Sequence, residues 1–186
     1  MKNTVIIIPS RLGARRFPNK PLEKINNLPM IVHVIKRAQE SKVGEVLVAT
    51  PDEAIFDIVK ENGGWPIMTK SDHLSGSDRI YEAYSNNLSD NIDLIINLQG
   101  DMPNIKPSSI SKLERLARKE KCEIGTLASV LRNKGEINDP DIVKVQVDED
   151  LNDNSFIYAK DFFRIKKDHR NEKIYHHIGI YAFTNV

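Results

Sequence analysis

A cluster of fixed positive charge follows the first apolar run of this sequence. Val5–Ile8 leads into Pro9, and Arg11, Arg15, Arg16 and Lys20 come soon after, with Gly13 the lone glycine before Pro18. Arginine forks match the oxygens of a phosphate, and lysine supplies a compact point charge. The chemistry these residue types suit is the holding of a polyphosphate. In an arbitrary loop the same residues are a solvated surface that keeps a protein soluble. Position decides between the two, because cations crowded at a strand end repel one another unless an anion bridges them. Neither GxxxxGK[ST] nor GxGxxG is present. Phosphate would therefore be gripped by side chains more than by a glycine nest.

The elements that must position this cluster alternate in type along the chain. Residues 3–8 read as a buried strand. A helix follows over 29–41, with Met30, Ile31, Val34, Ile35 and Ala38 at helical spacing. Strand 45–49 precedes a helix over 52–62 that Gly63-Gly64 closes. Strand 66–69 precedes a helix over 75–88, at whose start Ser75 and Asp78 have capping-box spacing. Residues 91–98 are the most strand-like of all and end in Gln99-Gly100-Asp101. Pro107 then opens a helix over 108–121. This alternation predicts an α/β fold, a mostly parallel sheet with helices on both faces. Beyond it, residues 124–130, 142–147, 155–158 and 173–183 look like strands, while 161–173 is charged and loop-like. With no internal repeat or low-complexity linker, residues 1–186 read as a single domain with a β-rich continuation.

Ligands of parallel sheets bind in the crevice at the carboxyl ends of the strands. The arginine loop after Ile8 and the QGD after Leu98 both sit at such ends. The rest of the composition confines this signal to one place. The 27 basic and 26 acidic side chains leave a net charge of +1, which gives no general attraction to nucleic acid or to a membrane surface. Cys122 is the only cysteine, so an internal disulfide and a cysteine metal cage are excluded. No run approaches the roughly 20 apolar residues that cross a bilayer. A cytoplasmic enzyme or binding module is the expectation.

The stretch PSRLGARRFPNKPLEKINNLPMIVHVIKRA resembles the opening motif of the nucleotide-sugar pyrophosphorylase-like nucleotidyltransferases. It is most similar to the 3-deoxy-manno-octulosonate (KDO) cytidylyltransferase family, the CMP-KDO synthetases. The family pattern of IIPAR, R-x-P-x-KPL and G-x-PMI-x-HV falls on residues 7–11, 16–22 and 28–34. Further resemblances follow in order: VATPDE at 48–53, DHLSGSDR at 72–79, NLQGDMP at 97–103, NDPDIVKV at 138–145 and HHIGIYAF at 176–183. Pro51 stands where the family's aspartate usually falls, and Met102 replaces a glutamate.

The resemblance implies a Rossmann-like nucleotidyltransferase fold. It also implies transfer of CMP from CTP to KDO with release of pyrophosphate, for lipopolysaccharide biosynthesis, with Mg²⁺ as cofactor and a homodimeric assembly. It places Arg11 and Lys20 on the phosphates, with Arg16 beside them, and makes Asp101 a catalytic carboxylate that holds the metal. Gln99 would hold the sugar acid, and Asn97 reads as structural. Two readings stand for DHLSGSDR. Ser75, Ser77 and Asp78 are what a helix start uses anyway, whereas the family reading sets His73, Ser75 and Gly76 beside the cytosine and ribose. Arg79 is expected to pair with a carboxylate. His177 and Tyr181, four apart on a strand, share a face. A histidine there is usually packed and hydrogen-bonded, whereas the resemblance implies that both contact KDO. Lys160 falls near a family arginine that meets the sugar carboxylate, and a lysine keeps that charge without the bidentate fork.

Members of the family continue for several dozen residues past this point. They carry a Glu-Gln pair implicated in sugar binding and a late GVDTPEDL motif whose aspartate completes the metal site. Neither is present in residues 1–186. The expectation is a C-terminally truncated chain in which Asp101 alone binds metal less tightly. The alternatives to a KDO enzyme are an inactive or partner-dependent CTP-binding fragment, and a cytidylyltransferase for another acidic sugar such as sialic acid.

Overall fold

The computed structural model describes residues 3–13, 17–88, 91–133, 135–165 and 172–184. The chain divides into two compact units, residues 1–124 with 181–186, and residues 125–180.

The first unit is built on strand β1 (Thr4–Pro9), whose residues Val5 to Ile8 are wholly buried. Burying such side chains contributes roughly 1.5–3 kcal/mol each. β1 lies between β4 (Glu45–Thr50) and β6 (Leu94–Leu98), and β5 (Trp65–Met68) lies outside β4, with every pairing parallel. Helix α3 (Gly76–Asn87) packs Ile80 and Ala83 against Val5, Ile7, Leu47, Ala49 and Ile67 on one face. Ile6 and Ile8 have the opposite parity and face the other way. Helix α1 (Met30–Glu40) packs against α4 (Pro107–Glu120), and α2 (Glu53–Glu61) against β4 and β5. The predicted alternation is thus the observed one, with boundaries moved by a residue or two except at β6, which starts at Leu94, three residues later than expected.

A small ribbon between β1 and α1 has no counterpart in the predicted elements. Strands β2 (Lys24–Ile25) and β3 (Leu28–Pro29) pair antiparallel across Asn26 and Asn27, at φ 48° and 68°. A two-residue hairpin loop of the primed type needs positive φ at both central residues, and asparagine tolerates it. A single 3₁₀ turn, Lys20–Leu22, precedes the ribbon.

In the second unit β8 (Lys144–Val147) pairs antiparallel with the start of β10 (Lys173–Thr184) and with β9 (Asp161–Phe163). β7 (Ile124–Ser129) pairs with β10. Here two expectations are corrected. Residues 155–158 form no strand, and the strand lies at 161–163, inside the stretch expected to be loop. The reason is partly local. Ser155 Oγ accepts from the Asn152 amide at 3.0 Å and Asn152 Oδ1 from the Asn154 amide at 2.9 Å, which fixes a polar turn. The rest is tertiary, because Asp161, Phe162 and Phe163 find ladder partners in Gln146, Val145 and Lys144.

Candidate active site

Three segments of the first unit converge at the carboxyl ends of β1 and β6. β1 delivers Pro9, Ser10 and Arg11, and the Ser10 amide donates to Ala49 O at 3.0 Å, which fixes the point of departure. The loop then closes on itself, with the Asn19 amide donating to Leu12 O at 3.3 Å. Asn19 takes a left-handed conformation, φ 57°, as it turns the chain into the 3₁₀ turn that carries Lys20. An acidic anchor holds the near side of the loop: the Leu12 amide donates to Asp52 Oδ2 at 2.8 Å. Asp52 is the N-cap residue of α2, yet its side chain makes no cap bond there.

β6 delivers Gln99, Gly100 and Asp101. Gln99 donates through Nε2 to the buried Asn97 Oδ1 at 2.9 Å, so Asn97 has the structural role expected of it. A Cβ on Gly100 would lie 3.0 Å from Pro9 O, so glycine lets this turn rest on the end of β1 without pushing it aside. Lys20 Nζ meets Asp101 Oδ2 at 3.0 Å. Both side chains are more than a third exposed, so solvent leaves this pair worth no more than about 1 kcal/mol. Its effect is to set one cation and one carboxylate at a fixed place.

The third segment is the start of α3. The capping box predicted from spacing is present: Ser75 Oγ accepts from the Asp78 amide at 3.1 Å and donates to Asp78 Oδ2 at 2.8 Å, which also accepts from the Ser75 amide at 3.0 Å. The Ser75 hydroxyl proton is therefore spent on the cap. A Cβ on Gly76 would lie 3.2 Å from Pro9 Cγ, so its absence lets the helix start close on β1. His73 Nε2 pairs with Glu82 Oε2, which also accepts from the Lys70 amide at 3.0 Å. The bond from His73 holds the Glu82 carboxyl below the usual carboxylate range.

These segments line one cavity of about 300 Å³, at the small end of the range for ligand sites. Arg11, Lys20, His73, Ser75, Gly76, Gln99 and Asp101 all face it. Arg16 lies outside the described residues. Tyr181 belongs to the first unit, stacks on Phe183 with ring centroids 6.3 Å apart, and has its phenol pushed up by burial. It is not among the cavity's lining residues. Lys160 and His177 belong to the second unit. Lys160 pairs there with Asp148. His177 is buried, meets Thr126 Oγ1 at 3.0 Å and stands edge-on to Phe162, and burial pushes its pKa below 6.5.

One lining residue corrects an expectation. Arg79 pairs with no carboxylate among its described hydrogen bonds. Its Nη1 donates to Thr69 Oγ1 and to Lys70 O, the latter at 2.8 Å. It is almost fully buried in the cavity wall, and burial first, then the charge of Arg11, lowers its pKa. A guanidinium nevertheless stays cationic in proteins. Its spacing of four from the cap residue Ser75, which puts both on one helix side, was the available signal. Ser10, Pro21 and Met30 also line the cavity, and nothing in their types announced it.

The family model described as Cytidylyltransferase matches residues 5–186. The chain belongs to the cytidylyltransferase family. Among its relatives, a 3-deoxy-manno-octulosonate cytidylyltransferase of Brucella canis is 41% identical over 97% of this chain and 72% of its own length. One of Methylorubrum extorquens is 39% identical over 98% of this chain and 74% of its own length. A solved CMP:2-keto-3-deoxy-manno-octonic acid synthetase complexed with CTP superposes with a TM-score of 0.86. It is 37% identical over 98% of this chain and 74% of that one. The membership accounts for the nucleotidyltransferase fold. Among the described residues no helix is long and apolar enough to cross a membrane.

The donor set for a metal can be judged on the residues present. Among the described residues no three His, Cys, Asp or Glu side chains gather to cage an ion. Among the described residues a lone carboxylate, Asp101, lines the cavity, together with Arg11, Lys20 and Arg79. That set suits Mg²⁺, which commonly takes one or two carboxylates and completes its shell with phosphate oxygens and water.

Proposed function

We propose that this chain transfers the cytidylyl group of CTP to the anomeric hydroxyl of 3-deoxy-manno-octulosonate. The sugar oxygen forms a bond to the α-phosphorus as the bond from that phosphorus to the bridging oxygen breaks. Pyrophosphate departs with the electron pair, and the hydroxyl proton passes to solvent. The observation that carries this reading is the meeting in one cavity of cations from separate segments, Arg11, Lys20 and Arg79, with Gln99, Asp101 and the start of α3.

Charge grows on the departing pyrophosphate, and fixed cations in a sheltered site contribute most where charge develops. Arg11 and Lys20 supply them, and Arg16 is assigned the same part. Arg79, with Nη1 committed to Thr69 and Lys70, adds a fixed charge from the wall. The amides of the first turn of α3 favour an anion or a polar base edge. Since the Ser75 hydroxyl proton serves the cap, His73 and the backbone around Gly76 are the groups assigned to cytosine and ribose. Gln99, oriented by Asn97, is assigned to the sugar acid; the same assignment of Lys160, His177 and Tyr181 rests on the sequence resemblance alone. Asp101 would hold Mg²⁺, which when bound supplies Lewis-acid neutralisation of phosphate oxygens. The reading extends to a cytoplasmic homodimer serving lipopolysaccharide biosynthesis, for which the support is the sequence resemblance.

The test is pyrophosphate release by the purified chain from CTP with Mg²⁺, using KDO and a panel of other acidic sugars. Release that depends on KDO is expected. Preference for another sugar acid would reassign the acceptor. CTP binding with no release on any sugar would leave a nucleotide-binding fragment, and neither binding nor release would end the reading.

A further inference from the structure

Ser10 carries the one buried side-chain polar atom among the described residues that has no hydrogen-bond partner, its Oγ. The residue is 6% exposed and lines the cavity. The next residue is Arg11, and a Cβ on Gly100 would lie 3.5 Å from the Ser10 Oγ, so the QGD turn passes directly over the hydroxyl. A buried hydroxyl without a partner is a cost to the fold, and native proteins leave few of them. Alanine would fill nearly the same space without that cost. A hydroxyl kept at the wall of a binding cavity, and unpaired in the protein, matches the pattern in which local stability is given up for function.

We infer that Ser10 is a nucleotide-contacting residue whose hydroxyl donates a hydrogen bond to a phosphate or ribose oxygen of the bound nucleotide. This rests on the cavity being the nucleotide site, as proposed above. The hydroxyl has no bond to lose, so rotation about χ1 to meet an acceptor costs little, and its backbone is already fixed by the bond to Ala49 O. The donor adds to the basic groups of the same cavity: Arg11 and Lys20 supply charge, and Ser10 supplies a short, directional bond just past the end of β1.

The test combines two readouts of opposite sign on Ser10→Ala, with CTP and inorganic tripolyphosphate as probes. Without nucleotide, S10A should melt about 2–4 °C higher, because the unpaired hydroxyl is gone. Its affinity for CTP should fall about five- to tenfold, the worth of one hydrogen bond. Ser10→Cys, which keeps a weak donor, should fall between. Loss with both probes locates the acceptor on a phosphate, and loss with CTP alone locates it on the ribose. Unchanged CTP affinity in S10A overturns the inference and leaves the cavity's assignment standing. A wild-type chain that binds neither probe overturns both.

Discussion

At the scale of the residue, the site depends on side chains that never touch one another in sequence. Asp52 is the clearest case. It stands next to Pro51, which departs from the expected motif, and its carboxylate reaches back forty positions to the Leu12 amide. Asp52→Ala should free the loop that carries Arg11 and weaken CTP binding about fivefold, the worth of one net hydrogen bond. Asp52→Asn keeps an acceptor and should restore most of that affinity. Titration of CTP into both variants checks this, and equal losses would show that the charge matters and the bond does not. Sequence spacing revealed Ser75 with Asp78 because their bond spans three residues. It could not reveal Asp52 with Leu12, or the unpaired Ser10, because both arise only when separate strands are brought side by side.

At the scale of the element, the same division recurs. β1, α1, β4 and α3 were legible because a strand buried on both faces or an amphipathic helix writes its own period into the chain. β9 was not, since three residues of a charged stretch become a strand only by docking on β8. β10 offers a prediction. Burial and then the nearby His176 hold His177 below the ordinary histidine pKa of 6.5. As pH falls below about 6.5 the unfolded chain takes up a proton that the folded one resists. Stability is therefore lost as pH falls through the window between the two values, and the loss levels off below the lower one. Urea unfolding at pH 7.5 and 5.5 should show a smaller drop for His177→Gln than for the wild type. An identical drop would assign the effect to other groups.

At the scale of the whole molecule, near-neutrality and a cationic cavity coexist. The net charge of +1 gives no long-range pull on a polyanion, so attraction for a nucleotide comes from Arg11, Lys20 and Arg79 at short range. CTP affinity should fall several-fold between 50 mM and 500 mM salt, as partly exposed charges are screened, while binding of uncharged cytidine should hold steady. Equal salt responses would place recognition outside these cations. The second unit has a different organisation, centred on the wholly buried Lys144, whose Nζ donates to the carbonyls of Asp139, Ile142 and Arg164. Burial lowers the pKa of this amine. Two stretches of chain, residues 139–144 and Arg164 just past the end of β9, thus share a single counter-group, and neither can peel away without stranding an ammonium in a dry interior. Their opening is coupled through that one amine, so this corner behaves as one cooperative latch rather than two independent loops.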